Sequence, residues 1–217
     1  MLEVRQLGVR YPGQDFLFQD LSFQVSEGEV LWLRGPNGAG KTTLLYAVSN
    51  IIPSSVQAER QGSVFLTGEN ITTLPINKLI PKLSIVLSNP AWELFFSTAE
   101  EEILFALENM GLPEKEIEQR LKTVAEQFEL MPMLNEPSLH LSAGWQKMLV
   151  LAVHAAIRPQ VLLLDEPFAG LSDESVKKVI NCLKDYLAKG GCLILAEHSS
   201  AVAELEPVTL NLSLHSL

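Results

Sequence analysis

The sequence predicts an α/β fold with a mostly parallel sheet, an antiparallel β subdomain at its N-terminal end and a helical subdomain inserted into it. Three observations carry that expectation. Residues 2–30 alternate apolar and polar side chains, with turn pairs at Pro12-Gly13 and Glu27-Gly28, as antiparallel strands do. Val161-Leu162-Leu163-Leu164 and Cys192-Leu193-Ile194-Leu195-Ala196 are apolar runs of strand length, as expected for strands covered on both faces by helices. Residues 111–130 place Ile117, Leu121, Val124, Ala125 and Phe128 on one helical face, with charged residues opposite.

The remaining elements follow in chain order. Val30-Leu31-Trp32-Leu33 is a compact apolar strand running straight into Gly35, and residues 41–50 read as a helix. Gly111-Leu112-Pro113 punctuates the start of the amphipathic helix. A second helix spans 143–157 and stops before Arg158-Pro159, because a residue preceding proline is pushed out of helical geometry. Near the C-terminus, Val208, Leu210, Leu212 and Leu214 alternate with polar residues, which predicts an edge strand within 206–217.

Composition excludes several classes. With 217 residues and 47% apolar content the chain can bury a sizeable core, but no run approaches the roughly 18–20 apolar residues that cross a bilayer. A formal charge of −10 argues against a nucleic-acid partner, since phosphate binding needs a basic face. Met1-Leu2-Glu3-Val4-Arg5 lacks the basic start and apolar stretch of a secretory signal, so a cytoplasmic location is expected. The two cysteines, Cys182 and Cys192, suggest small core residues rather than a disulfide framework.

Gly35-Pro36-Asn37-Gly38-Ala39-Gly40-Lys41-Thr42, followed by Thr43, matches the P-loop spacing of Gly, four residues, Gly-Lys-Thr. Glycines let successive backbone N–H groups turn toward phosphate oxygens, and the helix that follows presents its positive end to them. Lys41 is expected to reach the β- and γ-phosphates and Thr42 to ligate Mg2+. Val161-Leu162-Leu163-Leu164-Asp165-Glu166-Pro167 then supplies a strand ending in two carboxylates: Asp165 for the metal, Glu166 to activate the attacking water. A nucleotide and Mg2+ are the cofactors these motifs imply, on a P-loop NTPase core. One domain over 1–217 is expected, with 1–89 and 156–217 forming the nucleotide-binding core with its β subdomain and 90–155 the helical subdomain.

Between those motifs lies Leu141-Ser142-Ala143-Gly144-Trp145-Gln146. It resembles the Leu-Ser-Gly-Gly-Gln signature of the ATP-binding cassette ATPases, and the resemblance covers nearly the whole chain. In that family two cassettes pair head to tail, which implies that Ser142, Ala143 and Gly144 face the γ-phosphate held by the other cassette. The resemblance also implies that Tyr11 stacks on adenine, that Gly170-Leu171-Ser172-Asp173 crosses the dimer interface, and that His198 contacts the γ-phosphate. Leu87-Ser88-Asn89-Pro90-Ala91-Trp92-Glu93-Leu94-Phe95-Phe96 and Ala196-Glu197-His198 narrow the match to the energy-coupling-factor importers of cobalt, nickel and vitamins. That group implies a second cassette, a separate transmembrane scaffold docked on residues 87–96, a further membrane protein that captures substrate, and a peripheral position on the cytoplasmic face of the membrane.

Three departures matter. Ser88 stands at the metal position where the family carries a glutamine reaching Mg2+, and its shorter side chain leaves coordination there weaker or completed by water. Ala143 replaces a signature glycine and Trp145 the signature glutamine, so the signature offered to the other cassette is weakened, which favours a heterodimer. The alternatives are a nucleotide-binding regulatory subunit with little hydrolysis, or a soluble ABC ATPase outside transport.

Overall fold

The computed structural model describes residues 1–213. Strands β1 (Leu2–Arg10) and β2 (Phe16–Val25) form an antiparallel pair joined at the Pro12-Gly13 turn. Strand β3 (Val30–Arg34) leads through the glycine loop into α1 (Lys41–Val48), two residues shorter than the periodicity suggests because Asn50 adopts a left-handed conformation at φ 63°. Then follow α2 (Ile51–Ser54), β4 (Glu59–Leu66), β5 (Glu69–Asn70), α3 (Ile76–Leu79) and β6 (Leu83–Val86). The helices α4 (Ala99–Glu108), α5 (Glu114–Gln127) and α6 (Ala143–Ile157) come next, and β7 (Val161–Asp165), α7 (Asp173–Ala188), β8 (Cys192–Ala196) and β9 (Val208–Asn211) complete the described chain.

These strands make two sheets. One is antiparallel, ordered β2-β1-β4-β5; the other is wholly parallel, ordered β6-β7-β8-β3-β9. Strand β4 was not legible in the sequence, because Glu59-Arg60-Gln61-Gly62-Ser63 reads as polar loop. It pairs with β1 across a register shift at which Gly62 takes φ 84°, and a Cβ there would lie 2.3 Å from the Gln6 carbonyl oxygen. The expected edge strand is β9, parallel to β3, while the Leu214 position of that expectation lies outside the described residues.

Strands β7 and β8, apolar apart from Asp165 at the end of β7, are buried at every position, with α1 on one face and α6 and α7 on the other. Each aliphatic side chain so enclosed contributes roughly 1.5–3 kcal/mol. Helix α5 puts Val124 and Ala125 into the core beside the following Phe128, with Ile117 and Leu121 partly covered, so its apolar stripe lies where the spacing set it. Arg120 pins that helix to the end of α6, donating to the Ala156 and Ile157 carbonyls at 3.0 and 3.3 Å. Cys182 lies on α7 and Cys192 on β8, both as free thiols. Among the described residues no helix is long and apolar enough to cross a membrane.

Candidate nucleotide site

The chemistry collects at the C-terminal ends of the parallel strands, where an open α/β sheet leaves a crevice. Between β3 and α1 the chain turns through Gly35, Gly38 and Gly40, the last two at φ 83° and 91°. Glycine suits position 40 because φ 91° is a conformation that residues with a side chain rarely adopt. The Lys41 ammonium curls back over this loop and donates to the carbonyls of Gly35 at 2.8 Å and Pro36 at 3.0 Å. It thus holds a cation over the glycine turn at the N-terminus of α1, a receptor for a polyanion.

Beside it the Thr42 hydroxyl donates to both carboxylate oxygens of Asp165, at 3.1 and 3.0 Å. Asp165 is 2% exposed, and burial pushes its carboxyl above the ordinary range, with Glu166 adding to the rise and Thr42, Lys147 and Lys41 opposing it. Two hard oxygens side by side, on a buried carboxylate that lacks a full counter-charge, suit Mg2+, which takes one or two protein oxygens and fills its shell with phosphate and water. The residues present therefore fit a magnesium nucleotide.

Glu166 follows in a left-handed conformation, φ 49°, with its N–H donating to the Ala196 carbonyl at 2.8 Å. A non-glycine residue held there is strained, and the strain turns the carboxylate out of the strand into the crevice. Tyr11, Lys41, Thr42, Asp165 and Glu166 line one cleft of about 460 Å3, to which Gln14 and Leu17 of the β1–β2 connection and β2 also contribute. Tyr11 is anchored through its hydroxyl to Thr43 Oγ1 at 3.1 Å, and Thr43 lines the same cleft.

His198 does not line that cleft. It borders an adjoining one of about 430 Å3, with Trp32, Arg34, Gly35, Glu197 and Asn211, on the other side of the loop that Lys41 caps. Ser88 also stands apart: its carbonyl accepts from Lys147 Nζ at 2.7 Å, and among the described residues no hydrogen bond joins its hydroxyl to Thr42 or Asp165. Ser142 caps α6 by accepting the Trp145 N–H at 3.4 Å and is exposed with Ala143, while Gly144 packs near the Gly170 carbonyl. These signature positions line neither cleft of their own chain.

Sequence reasoning missed Lys147. This lysine, 2% exposed on α6, donates to the carbonyls of Leu87 at 3.2 Å and Ser88 at 2.7 Å, and burial lowers its affinity for the proton. The available signal was a charged residue on the buried stripe of an otherwise apolar helix. Glu93 holds the same segment, accepting the Leu87 N–H at 2.7 Å and meeting His154 Nε2 at 2.9 Å.

A glycine loop that caps β3, a hydroxyl beside a buried aspartate, and a strained glutamate at the end of β7 define a P-loop nucleotide hydrolase. Comparison with known proteins narrows the class. Residues 18–169 match the ABC transporter family. The energy-coupling factor transporter ATP-binding protein EcfA of Methanocaldococcus jannaschii is 32% identical over 213 residues, covering 96% of this chain and 72% of that protein. A solved ATP-binding subunit of an ABC transporter superposes with a TM-score of 0.86 at 25% identity, covering 100% of this chain and 88% of that one. CbiO1 of Clostridium perfringens, part of the ABC transporter complex cbiONQ, gives 0.76 at 28% identity over 91% of this chain and 78% of that one. The chain belongs to the ABC transporter family: it is an ATP-binding subunit of a transporter, and an ATPase.

Proposed function

We propose that this ATPase drives an energy-coupling-factor-type importer of a metal ion or vitamin, docked on the cytoplasmic face of the membrane beneath a separate transmembrane scaffold and a substrate-capturing membrane protein. The observation that carries the proposal is a set of exposed aromatic side chains on the segment after β6 and on α4. Trp92 is 62% exposed, Phe95 78% and Phe105 49%. Isolated exposed apolar side chains are ordinary, but three large rings within one short stretch of chain mark an interaction surface. The rings at 92 and 95 lie on the segment that begins at Leu87-Ser88, and polar anchors fix that segment from beneath through Lys147, Glu93 and Glu102. A partner seated on the rings is thus mechanically connected to the residues flanking the site.

In this reading Lys41 and the loop N–H groups bind the triphosphate, and Thr42 and Asp165 hold the metal. Bound Mg-ATP supplies the terminal phosphoryl group and the charge neutralisation for its transfer to water. Glu166 accepts the proton of the attacking water, and His198 donates toward the γ-phosphate once the two clefts close on one nucleotide. Tyr11 supplies a ring face for adenine. Ser142 and the N–H groups at Ala143 and Gly144 serve the nucleotide of a second cassette, which the altered signature marks as a different chain.

The test is capture of the closed state. Tagged Glu166→Gln protein with Mg-ATP, recovered from detergent-solubilised native membranes, is expected to bring down a second cassette and a polytopic membrane protein. Recovery of soluble ribosomal or DNA-associated partners alone would send the chain to a non-transport role.

A further inference from the structure

We propose that Glu197 is a positioning residue for hydrolysis, a buried carboxylate that ties the turn carrying Glu166 to the loop carrying His198. The proposal rests on the roles given to Glu166 and His198 above. It stands on four hydrogen bonds. One oxygen, Oε1, accepts the N–H groups of His198 at 2.7 Å and Ser199 at 3.0 Å. The other, Oε2, accepts the N–H of Phe168 at 3.0 Å, two residues beyond Glu166. The Glu197 carbonyl in turn accepts the indole N–H of Trp32 at 2.8 Å, fixing the residue from β3.

Glu197 is 7% exposed, and no ion pair includes it among the described residues. Burying a carboxylate is costly unless hydrogen bonds replace its water, and backbone N–H groups do so here. A hydroxyl side chain at this place could cap one loop. Only a group with two acceptor oxygens on a reach of this length can take the N–H groups of both loops at once.

The two loops need such a tie. Glu166 sits in strained left-handed backbone, stable only where neighbours over-determine it, and its N–H bond to Ala196 is the other link between the ends of β7 and β8. His198 is exposed, so the place of its ring is set by its backbone, and that backbone hangs from Glu197. The carboxylate therefore sets the spacing between the group that takes a proton from water and the group that meets the γ-phosphate. Among the described residues no hydrogen bond joins it to Lys41 or Thr42, whose partners are the Gly35 and Pro36 carbonyls and Asp165, so the phosphate receptor is not built on it.

Glu197→Gln separates these effects because it keeps size but loses one acceptor: the amide oxygen can serve one loop, while its NH2 group faces the donor of the other. Steady-state ATP hydrolysis by the full chain is compared with Glu166→Gln, His198→Ala and the double variant Glu197→Gln/His198→Ala. Displacing a reacting group by about 1 Å costs on the order of 10²-fold, so kcat is expected to fall by about that factor while KM for Mg-ATP stays within about twofold. The double variant should lose less than the product of the two single effects, as for residues acting through one another. Wild-type kcat in Glu197→Gln, a parallel loss of nucleotide binding, or fully multiplicative effects would each overturn the positioning role. If Glu166→Gln and His198→Ala themselves retain turnover, it is the underlying site assignment that falls.

Discussion

Removing the Glu102 carboxylate tests how the aromatic surface is held. Glu102 lies in the first turn of α4, 5% exposed, and its Oε1 accepts the N–H groups of Phe95 at 2.6 Å and Phe96 at 2.7 Å. Burial pushes its carboxyl above the ordinary glutamate range, with those two N–H bonds pulling the other way. Glu102→Ala strands two donors, at about 1–3 kcal/mol each, and relieves the cost of a buried charge; the net loss is about 2 kcal/mol. For a domain of this size 1 kcal/mol moves Tm by about 2–4 °C, so a drop of about 4–8 °C is expected. Glu102→Gln keeps the acceptor oxygen without the charge and should be at least as stable as wild type at pH 8. Because the folded pKa is raised, the charge penalty is absent below the unfolded value near 4.5 and complete above the folded one. The advantage of Gln over Glu should therefore open as pH rises above about 4.5 and then stay constant. Thermal unfolding between pH 4.5 and 8 reads the stability, and capture of the membrane partner reads the function, which only the Ala variant should lose. Equal destabilisation by Ala and Gln would refute the hydrogen-bond reasoning, and undiminished capture by a destabilised Ala variant would refute the role of the loop.

Two further outcomes follow from the site. Lys147→Met removes the donors to the Leu87 and Ser88 carbonyls and is expected to lower kcat by about 10-fold or more with nucleotide affinity intact, since it shifts a loop rather than the phosphate receptor; steady-state kinetics with a nucleotide-binding titration checks this. Asp165→Asn should leave the nucleotide-free protein as stable as wild type or more so at pH 8, an advantage that shrinks as pH falls toward the ordinary aspartate value of 3.8. Mg-ATP at about 100 times Kd should stabilise wild type by about 2.7 kcal/mol. The Asn variant should gain less than about half of that, as thermal unfolding with and without Mg-ATP will show.

What the sequence revealed depended on how local the physics is. The apolar runs of β7 and β8 and the amphipathic stripe of α5 are set by burial on known faces, so the strands and the helix lie where the periodicity put them. Strand β4 escaped because it forms by pairing with β1 across a bulge at Gly62, and its own residues carry no alternation. The glycine loop and the Asp165-Glu166 pair were legible because that chemistry needs fixed residue types at fixed spacing. The companions Gln14, Leu17, Lys147 and Trp32 were not, since they reach the site only through tertiary packing. Ser88 shows the limit most clearly: residue type alone reports a shortened side chain, whereas the structure shows that the backbone of that segment is still clamped, by Lys147 and Glu93.

That contrast bears on how two cassettes would share the work. The cleft this chain builds for its own nucleotide retains the lysine, the hydroxyl–aspartate pair and the strained glutamate. The edge that the proposed pairing gives to another cassette is the altered part: Ala143 adds an exposed methyl at the start of α6, and Trp145 lines a groove with Met131, Pro132 and Met133. A methyl group at a helix N-terminus crowds the approach of a phosphate to the N–H groups there. In the proposed pairing, a deficit is expected at the site built from the other cassette's P-loop and this chain's signature. In a purified heterodimer, Glu166→Gln should abolish most of the turnover, and the corresponding substitution in the other cassette should remove little. Equal losses from the two substitutions would mean that Ala143 and Trp145 are accommodated without cost, and that the two sites are equivalent despite the altered signature.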